Sequence, residues 1–286
     1  MKDYVAENER ILEEWRKSLE IEDVCFALDG IMNKGEFYID DYEAVRRKES
    51  GKENAMWNEC PLRVLFLTKD ENTQGCEAWD VRTETFYKKG CGLPPINKVV
   101  SGSFFYQNEA CLLYGLLNTN LTENGMIKYD AFSWEYALSF SDENIFARIN
   151  CKKEAGGPSI LNTDLESAIT KSSKYLKEQI LNLDADIIVC CGSQNGKNII
   201  IDAVYEIYKD EFKYVNCVEG KGTGMHYNAK RNKLAIDAYH LAYSLPKCKG
   251  SDPLEDRYYE TIGMYYEFLK YLKETKDIDF SASHRR

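Results

Sequence analysis

Arg63-Val64-Leu65-Phe66-Leu67-Thr68-Lys69-Asp70-Glu71-Asn72 sets an apolar run directly against a cluster of polar and ionisable side chains. A short, continuous apolar run of this kind predicts a strand buried on both faces, as in a parallel sheet. Polar groups at the carboxyl end of such a strand lie where open α/β sheets bind their ligands. Two further runs end the same way: Asp186-Ile187-Ile188-Val189-Cys190-Cys191-Gly192-Ser193 and Leu234-Ala235-Ile236-Asp237-Ala238-Tyr239-His240. Three strand ends with small, polar or ionisable residues predict one shared site.

Outward from these strands the sequence alternates helical and extended patterns. Val5, Ile11, Leu12, Trp15 and Leu19 recur at helical spacing and predict an amphipathic surface helix over 3–20. Residues 29–54 are polar and turn-rich, with a short helix expected at 40–48. The glycines and prolines of 75–108 predict a large loop region broken by a short helix near 79–88. Helices are expected at 107–118, 163–183 (capped by Asn162 or Thr163) and 194–210, and strands at 144–151 and 213–218. A glycine-rich connection at 219–226, a helical or extended segment at 227–233 and a final amphipathic helix at 254–273 complete the pattern. Strands alternating with helices predict a mostly parallel sheet covered on both faces.

Composition narrows the function classes. The 286 residues fit one α/β domain with helical additions, and 44% hydrophobic content suits a globular chain. No apolar span reaches the roughly 20 residues that a membrane helix requires, and Met1 to Glu20 is too charged for a signal peptide. A cytoplasmic location is the expectation. The ten cysteines are scattered without a Cys-x-x-Cys pair, so buried reduced thiols are expected in place of a disulfide framework, and neither a metal nor another cofactor is implied. A net charge of −10 argues against broad, non-specific duplex binding, which depends on neutralising phosphates. Residues 219–249 are locally basic (Lys221, Lys230, Arg231, Lys233, Lys247 and Lys249), readable as a solvated surface or as a phosphate-contacting rim beside His240.

Gly220-Lys221-Gly222-Thr223-Gly224 lacks the ending of a P-loop and reads as a connection, and Ser193 after Gly192 lacks the second glycine of a nucleophile elbow. Asp70, Glu71 and Asn72 carry more chemistry. A carboxylate at a strand end can polarise a water, and a neighbouring amide can fix a heterocycle through paired donor and acceptor contacts. Their structural role is a turn or cap after the strand. His240 can donate to an oxyanion on a leaving group, or simply bond to backbone.

Taken in order, these segments resemble the uracil-DNA glycosylase superfamily, and more closely its uncharacterised bacterial branch. Val64 to Asn72 looks like the motif that delivers a water-activating acid or amide. Asn144 to Lys153 resembles the strand whose asparagine reads the base. Asp186 to Ser193 is similar to the third strand with its Gly-Ser ending, and His240 to Leu245 stands where a His-Pro-Ser motif is found. Asp29-Gly30-Ile31, Lys69 through Asn72, Trp79-Asp80-Val81-Arg82 and Asn150 through Gly157 carry the branch-level resemblance. Departures are the absence of a proline in the first motif and Leu241-Ala242 after His240.

The resemblance implies a three-layer α/β/α fold with a central, mostly parallel four-stranded sheet over 61–250, an N-terminal helical extension (1–60), and a C-terminal helix and tail (251–286). It implies Asp70 as the water-activating residue, with Glu71 or Asn72 as rivals, and Asn150 as the reader of the base. His240 would stabilise the departing base, and Lys69, Gly192 and Ser193 would line the site. Phe86, Tyr87, Phe104 or Phe105 would stack on the base. The implied activity is hydrolysis of an N-glycosidic bond in DNA or a nucleotide. The alternative is a non-catalytic module of the same fold that binds a nucleobase, nucleotide or nucleic-acid end.

Overall fold

The computed structural model describes residues 2–21, 25–33, 36–39, 45–48, 51–70, 80–84, 104–156, 160–193, 197–217, 224–242 and 252–280. Helix α1 (Tyr4–Leu19) begins where the Asp3 side chain accepts the Ala6 N–H, and it buries Tyr4, Ile11, Leu12, Trp15 and Leu19. Strand β1 (Gly30–Met32), a hairpin of β2 (Glu36–Ile39) and β3 (Val45–Lys48), and helix α2 (Glu53–Glu59) follow. Strand β4 (Val64–Thr68) leads through α3 (Val81–Glu84), α4 (Phe104–Asn118) and α5 (Trp134–Glu143) to β5 (Phe146–Asn150). Helices α6 (Asn162–Lys171) and α7 (Ser173–Leu183) precede β6 (Ile187–Ser193), and α8 (Ile199–Ile207) precedes β7 (Lys213–Tyr214), β8 (Gly224–Asn228) and β9 (Lys233–Tyr239). Helices α9 (Pro253–Tyr258) and α10 (Met264–Lys276) are joined by a π-helical turn at Tyr259–Gly263.

Among the described residues the main sheet has seven strands in the order β1-β5-β4-β6-β9-β8-β7, in place of the four expected. The four expected strands form its centre, with β5, β4, β6 and β9 mutually parallel. The additions are antiparallel to their neighbours: β1 beside β5, and β8 and β7 beyond β9. β7 falls within the strand expected at 213–218, though only Lys213–Tyr214 pair, whereas β1 and β8 escaped a reading based on apolar runs because β1 is three residues long and β8, Gly-Met-His-Tyr-Asn, carries no such run.

Alternation along the central strands divides the core. Leu65 and Leu67 face a cluster with Trp15, Trp57, Leu176 and Ile180, contributed by α1, α2 and α7. Val64 and Phe66 face the opposite cluster, with Leu112, Leu116, Tyr258 and Phe268 from α4, α9 and α10. Helices therefore cover both faces, which is why these strands read as continuous apolar runs. All five residues of β4 are buried, and each large apolar side chain there contributes about 1.5–3 kcal/mol relative to exposure.

Three other expectations are corrected. Of the short helix expected at 40–48, residues 40–44 lie outside the described residues and 45–48 form β3, which pairs with β2 in a register that sets Glu36 opposite Lys48 and Ile39 opposite Val45. The β-branched and aromatic residues of 36–39 supply a partner, and pairing overrides local helix preference. The helix expected over 163–183 is two helices that break at Ser172, and its N-cap position is Leu161, with no side-chain cap. Ser172-Ser173 is a weak point for a helix, and the break lets α7 pack on α1 while α6 packs on α8. The N-terminal 60 residues contribute sheet as well as helix.

Candidate functional site

The chain passes from β4 to β5 on one side, then returns across β4 to β6 and β9 on the other. The connections diverge at the β4–β6 boundary, and a doubly wound sheet leaves its ligand crevice beyond the carboxyl ends at such a point. Thr68, Lys69 and Asp70 follow from β4, Asn150 ends β5, Gly192 and Ser193 end β6, and Tyr239 and His240 end β9. Glu71, Asn72, Phe86 and Tyr87 lie outside the described residues.

Backbone pairing between β4 and β5 continues past the strands, with Cys151 N–H donating to Thr68 O and Lys152 N–H to Lys69 O, each at 2.9 Å. That pairing sets Asp70 beside Lys152, whose ammonium lies 3.7 Å from Asp70 Oδ2. Burial pushes the Asp70 carboxyl above its ordinary pKa, against the opposing charges of Lys152 and Lys69. Burial lowers the pKa of Lys69, with Asp70 opposing it. Gly156 backs the carboxylate so closely that a Cβ there would stand 2.2 Å from Asp70 Oδ2.

Asn150 is 3% exposed. Its side-chain oxygen accepts the Thr68 hydroxyl at 2.6 Å, while its Nδ2 is buried with no hydrogen-bond partner among the described residues. Its backbone N–H donates to Asp29 Oδ2 at 2.7 Å. Asp29 also accepts from Lys153 Nζ at 2.6 Å and from Gln179 Nε2 at 2.8 Å. Asn8 of α1 donates to Asp29 O and accepts from Gln179, so one buried network ties α1, α7 and the end of β5 together. The described residues Asp29 to Ile31, Lys69 and Asp70, Asp80 to Arg82, and Asn150 to Gly156 lie around it. Ala27 N–H donates to Lys153 O, Val81 N–H donates to Leu28 O, and Arg82 pairs with Asp80 and with Glu9 of α1.

His240 Nδ1 accepts the Ala242 N–H at 3.3 Å, which places the proton of the neutral ring on Nε2. Burial, with Lys69 and Arg257 nearby, lowers its pKa to about 4, so the ring is neutral at pH 7. Its end of β9 is held by Arg257 of α9, which donates to the carbonyls of Tyr239 and His240 at 2.9 and 3.2 Å. The Phe105 ring lies 5.9 Å from His240 and 5.2 Å from the guanidinium of Arg148, which forms a buried bidentate pair with Glu109. Phe105 is thus the described stacking candidate in contact with the site, whereas Phe104 is exposed.

The β6 end is built differently. A Cβ on Gly192 would meet Asn198 Oδ1 at 2.5 Å. That oxygen accepts the N–H groups of Ile200 and Ile201, and the Asn198 amide donates to Cys190 O and Asp237 Oδ1. The start of α8 is therefore satisfied by its own cap. Ser193 stands opposite Tyr239 at a bulge and lines a small cleft with Asp237 and Glu260, both raised in pKa chiefly by burial.

The basic rim is not beside His240 where it is described. Lys230 and Arg231 lie at the turn before β9 and Lys233 is its first residue, at the opposite end of that strand from His240, and they pair with Glu211 or Asp184. Lys221, Lys247 and Lys249 lie outside the described residues. Among the described residues no group of three or more His, Cys, Asp or Glu side chains could hold a metal ion, and no helix is long and apolar enough to cross a membrane.

Sequence reading missed Thr68, Arg257 and the role of Asp29. Thr68 read as the end of an apolar run, and Arg257 sits in a tyrosine-rich helix with no local signal. Asp29-Gly30-Ile31 stood out only through resemblance. A scan of protein-family models and a search of curated proteins return no match for the chain.

Proposed function

We propose that the chain is a uracil-DNA glycosylase-like hydrolase that cleaves the N-glycosidic bond of a base in DNA or in a nucleotide. The observation that carries this reading is the convergence, at one set of parallel strand ends, of a buried carboxylate, a buried amide whose donor has no partner among the described residues, and a neutral histidine. In this reading Asn150 holds the base and Phe105 stacks on it. As the glycosidic bond breaks, its electron pair leaves with the base, and His240 Nε2–H donates to the base oxygen on which charge develops. Asp70 faces the cationic sugar and orients the water that adds to its anomeric carbon, and the water's proton passes to solvent by way of the carboxylate. Rate enhancement is then mostly electrostatic.

A second reading is a binding module that recognises the base without cleaving it. The Lys152 ammonium beside Asp70 Oδ2 and the close approach of Gly156 favour it, because both stand where an attacking water needs access to the carboxylate.

Single-turnover base release from single- and double-stranded DNA containing uracil, and separately other damaged bases, tests the two. A hydrolase releases base. Asp70→Asn abolishes release while retaining affinity, and His240→Ala slows it by about 10²–10³ through loss of one preorganised donor. Binding without release in the wild type supports the second reading.

A further inference from the structure

We propose that a cavity at the amino ends of β4 and β5, at the far end of the sheet from Asp70 and Asn150, binds a small organic cation: a primary amine carried on an apolar body. The cavity measures about 470 Å³, within the range of small-molecule sites. Leu62 just before β4, Ile145 just before β5 and Leu116 of α4 are buried and give it an apolar wall. The Phe140 ring of α5 extends that wall, and Tyr114 packs edge-on against it with ring centroids 5.0 Å apart.

The polar groups of the cavity select the sign of the ligand. None of its lining residues is Lys, Arg or His. Its charge comes from Glu59 and Glu143, exposed carboxylates with no ion pair among the described residues. Three helices end on the lining, α2 at Glu59, α4 at Asn118 and α5 at Glu143, and each adds the partial negative charge of a helix C-terminus. The amides add to the same sign. Asn118 Nδ2 donates to Tyr114 O and Asn144 Nδ2 to Phe140 O, each at 2.8 Å. A carbonyl can only accept, so the nitrogen of each amide must face it. The two amide oxygens are left without a donor among the described residues. An anion placed here meets carboxylates, amide oxygens and helix C-termini with no opposing cation, which excludes phosphate-bearing ligands. A neutral apolar molecule covers the wall but leaves the acceptors to water. An amine on an apolar body does both: the body lies against Leu116 and Phe140, and the ammonium meets the acceptors at the rim.

Tryptamine, tryptophol and indole-3-propionate share an indole ring and a two-carbon stem and end in a cation, a neutral hydroxyl and an anion. Each is titrated into the full chain at matched ionic strength while the isotope-labelled methionine methyl signals are followed by NMR. Met56 lines the cavity and Met225 lies in the core, and Met56→Leu assigns the reporting signal. Tryptamine is expected to bind about fivefold or more tightly than tryptophol, with indole-3-propionate weakest, as two carboxylates and three helix ends imply. The Met56 signal is expected to move and that of Met225 to stay. Glu59→Gln with Glu143→Gln, at exposed positions where substitution costs little stability, is expected to bring tryptamine to within about twofold of tryptophol and to leave tryptophol unchanged. Equal binding of tryptamine and tryptophol by the wild type overturns the proposal. So does a ratio that the double variant leaves unchanged, binding that leaves Met56 unmoved, or no binding of tryptamine. Base release at the opposite end of the sheet is unaffected by any of these outcomes.

Discussion

Gly156 leaves no room for a side chain beside the Asp70 carboxylate, and a methyl group placed there separates a functional from a structural role. Gly156→Ala places a carbon 2.2 Å from Asp70 Oδ2, the far end of a side chain that can swing aside. Stability is expected to change by less than about 1 kcal/mol, because surface-proximal substitutions relieved by side-chain rotation cost little. Turnover is expected to fall at least tenfold, because displacing a reacting group by about 1 Å is expensive in rate. Comparison of thermal melts with single-turnover rates checks both halves. His240 supports a second prediction. With its pKa lowered to about 4, it stays neutral through the physiological range. The rate between pH 5.5 and 8 should therefore show no inflection that disappears in His240→Ala, and one near 6.5 would show a ring that titrates as it does in water.

Among the elements, the start of β1 and the end of β5 are joined by Asp29 and Lys153, both with side chains 0% exposed, and Asn8 ties α1 to the same Asp29. Replacing one partner leaves an uncompensated buried charge, so Asp29→Ala is expected to destabilise by about 3–5 kcal/mol in urea unfolding. Asp29→Ala combined with Lys153→Met should recover part of that loss, and additive losses would mean that the pair does not interact. The central strands and the positions of Asp70, Asn150, Gly192 and His240 were legible because a strand buried on both faces writes itself as an apolar run with a polar end. Strands β1 and β8 and the pair β2–β3 were not, because their pairing depends on partners distant in sequence or on register. Asp29 and Arg257 were illegible for the same reason. They reach the site from 121 and 17 residues away in the chain and bond to backbone, which carries no side-chain code.

For the molecule as a whole, two histidines set an acid limit. Burial lowers His226 as well as His240 to about 4. Below the unfolded value near 6.5 the unfolded chain binds more protons at these sites, so their contribution to stability is present above about pH 6.5 and is lost as pH falls toward 4. The carboxyls of Asp70, Asp237 and Glu260 are raised by burial and act in the opposite sense near their own titration. A melting temperature that falls between pH 6.5 and 4.5, less steeply in His226→Gln, is the expected result. The placement of charge supports a further expectation about nucleic acid. Lys230 and Arg231 sit at the opposite end of β9 from His240 and are paired with Glu211, so Lys230→Ala with Arg231→Ala should leave both DNA affinity and its salt dependence unchanged.

The most direct test of the site is a crystal structure of the chain with 2′-deoxyuridine bound. The account predicts the base beyond the ends of β4 and β5, with a ring carbonyl within hydrogen-bond distance of Asn150 Nδ2, its face near Phe105 and its sugar toward Asp70. A nucleoside bound elsewhere, or bound there with its carbonyls turned away from Asn150, would contradict it.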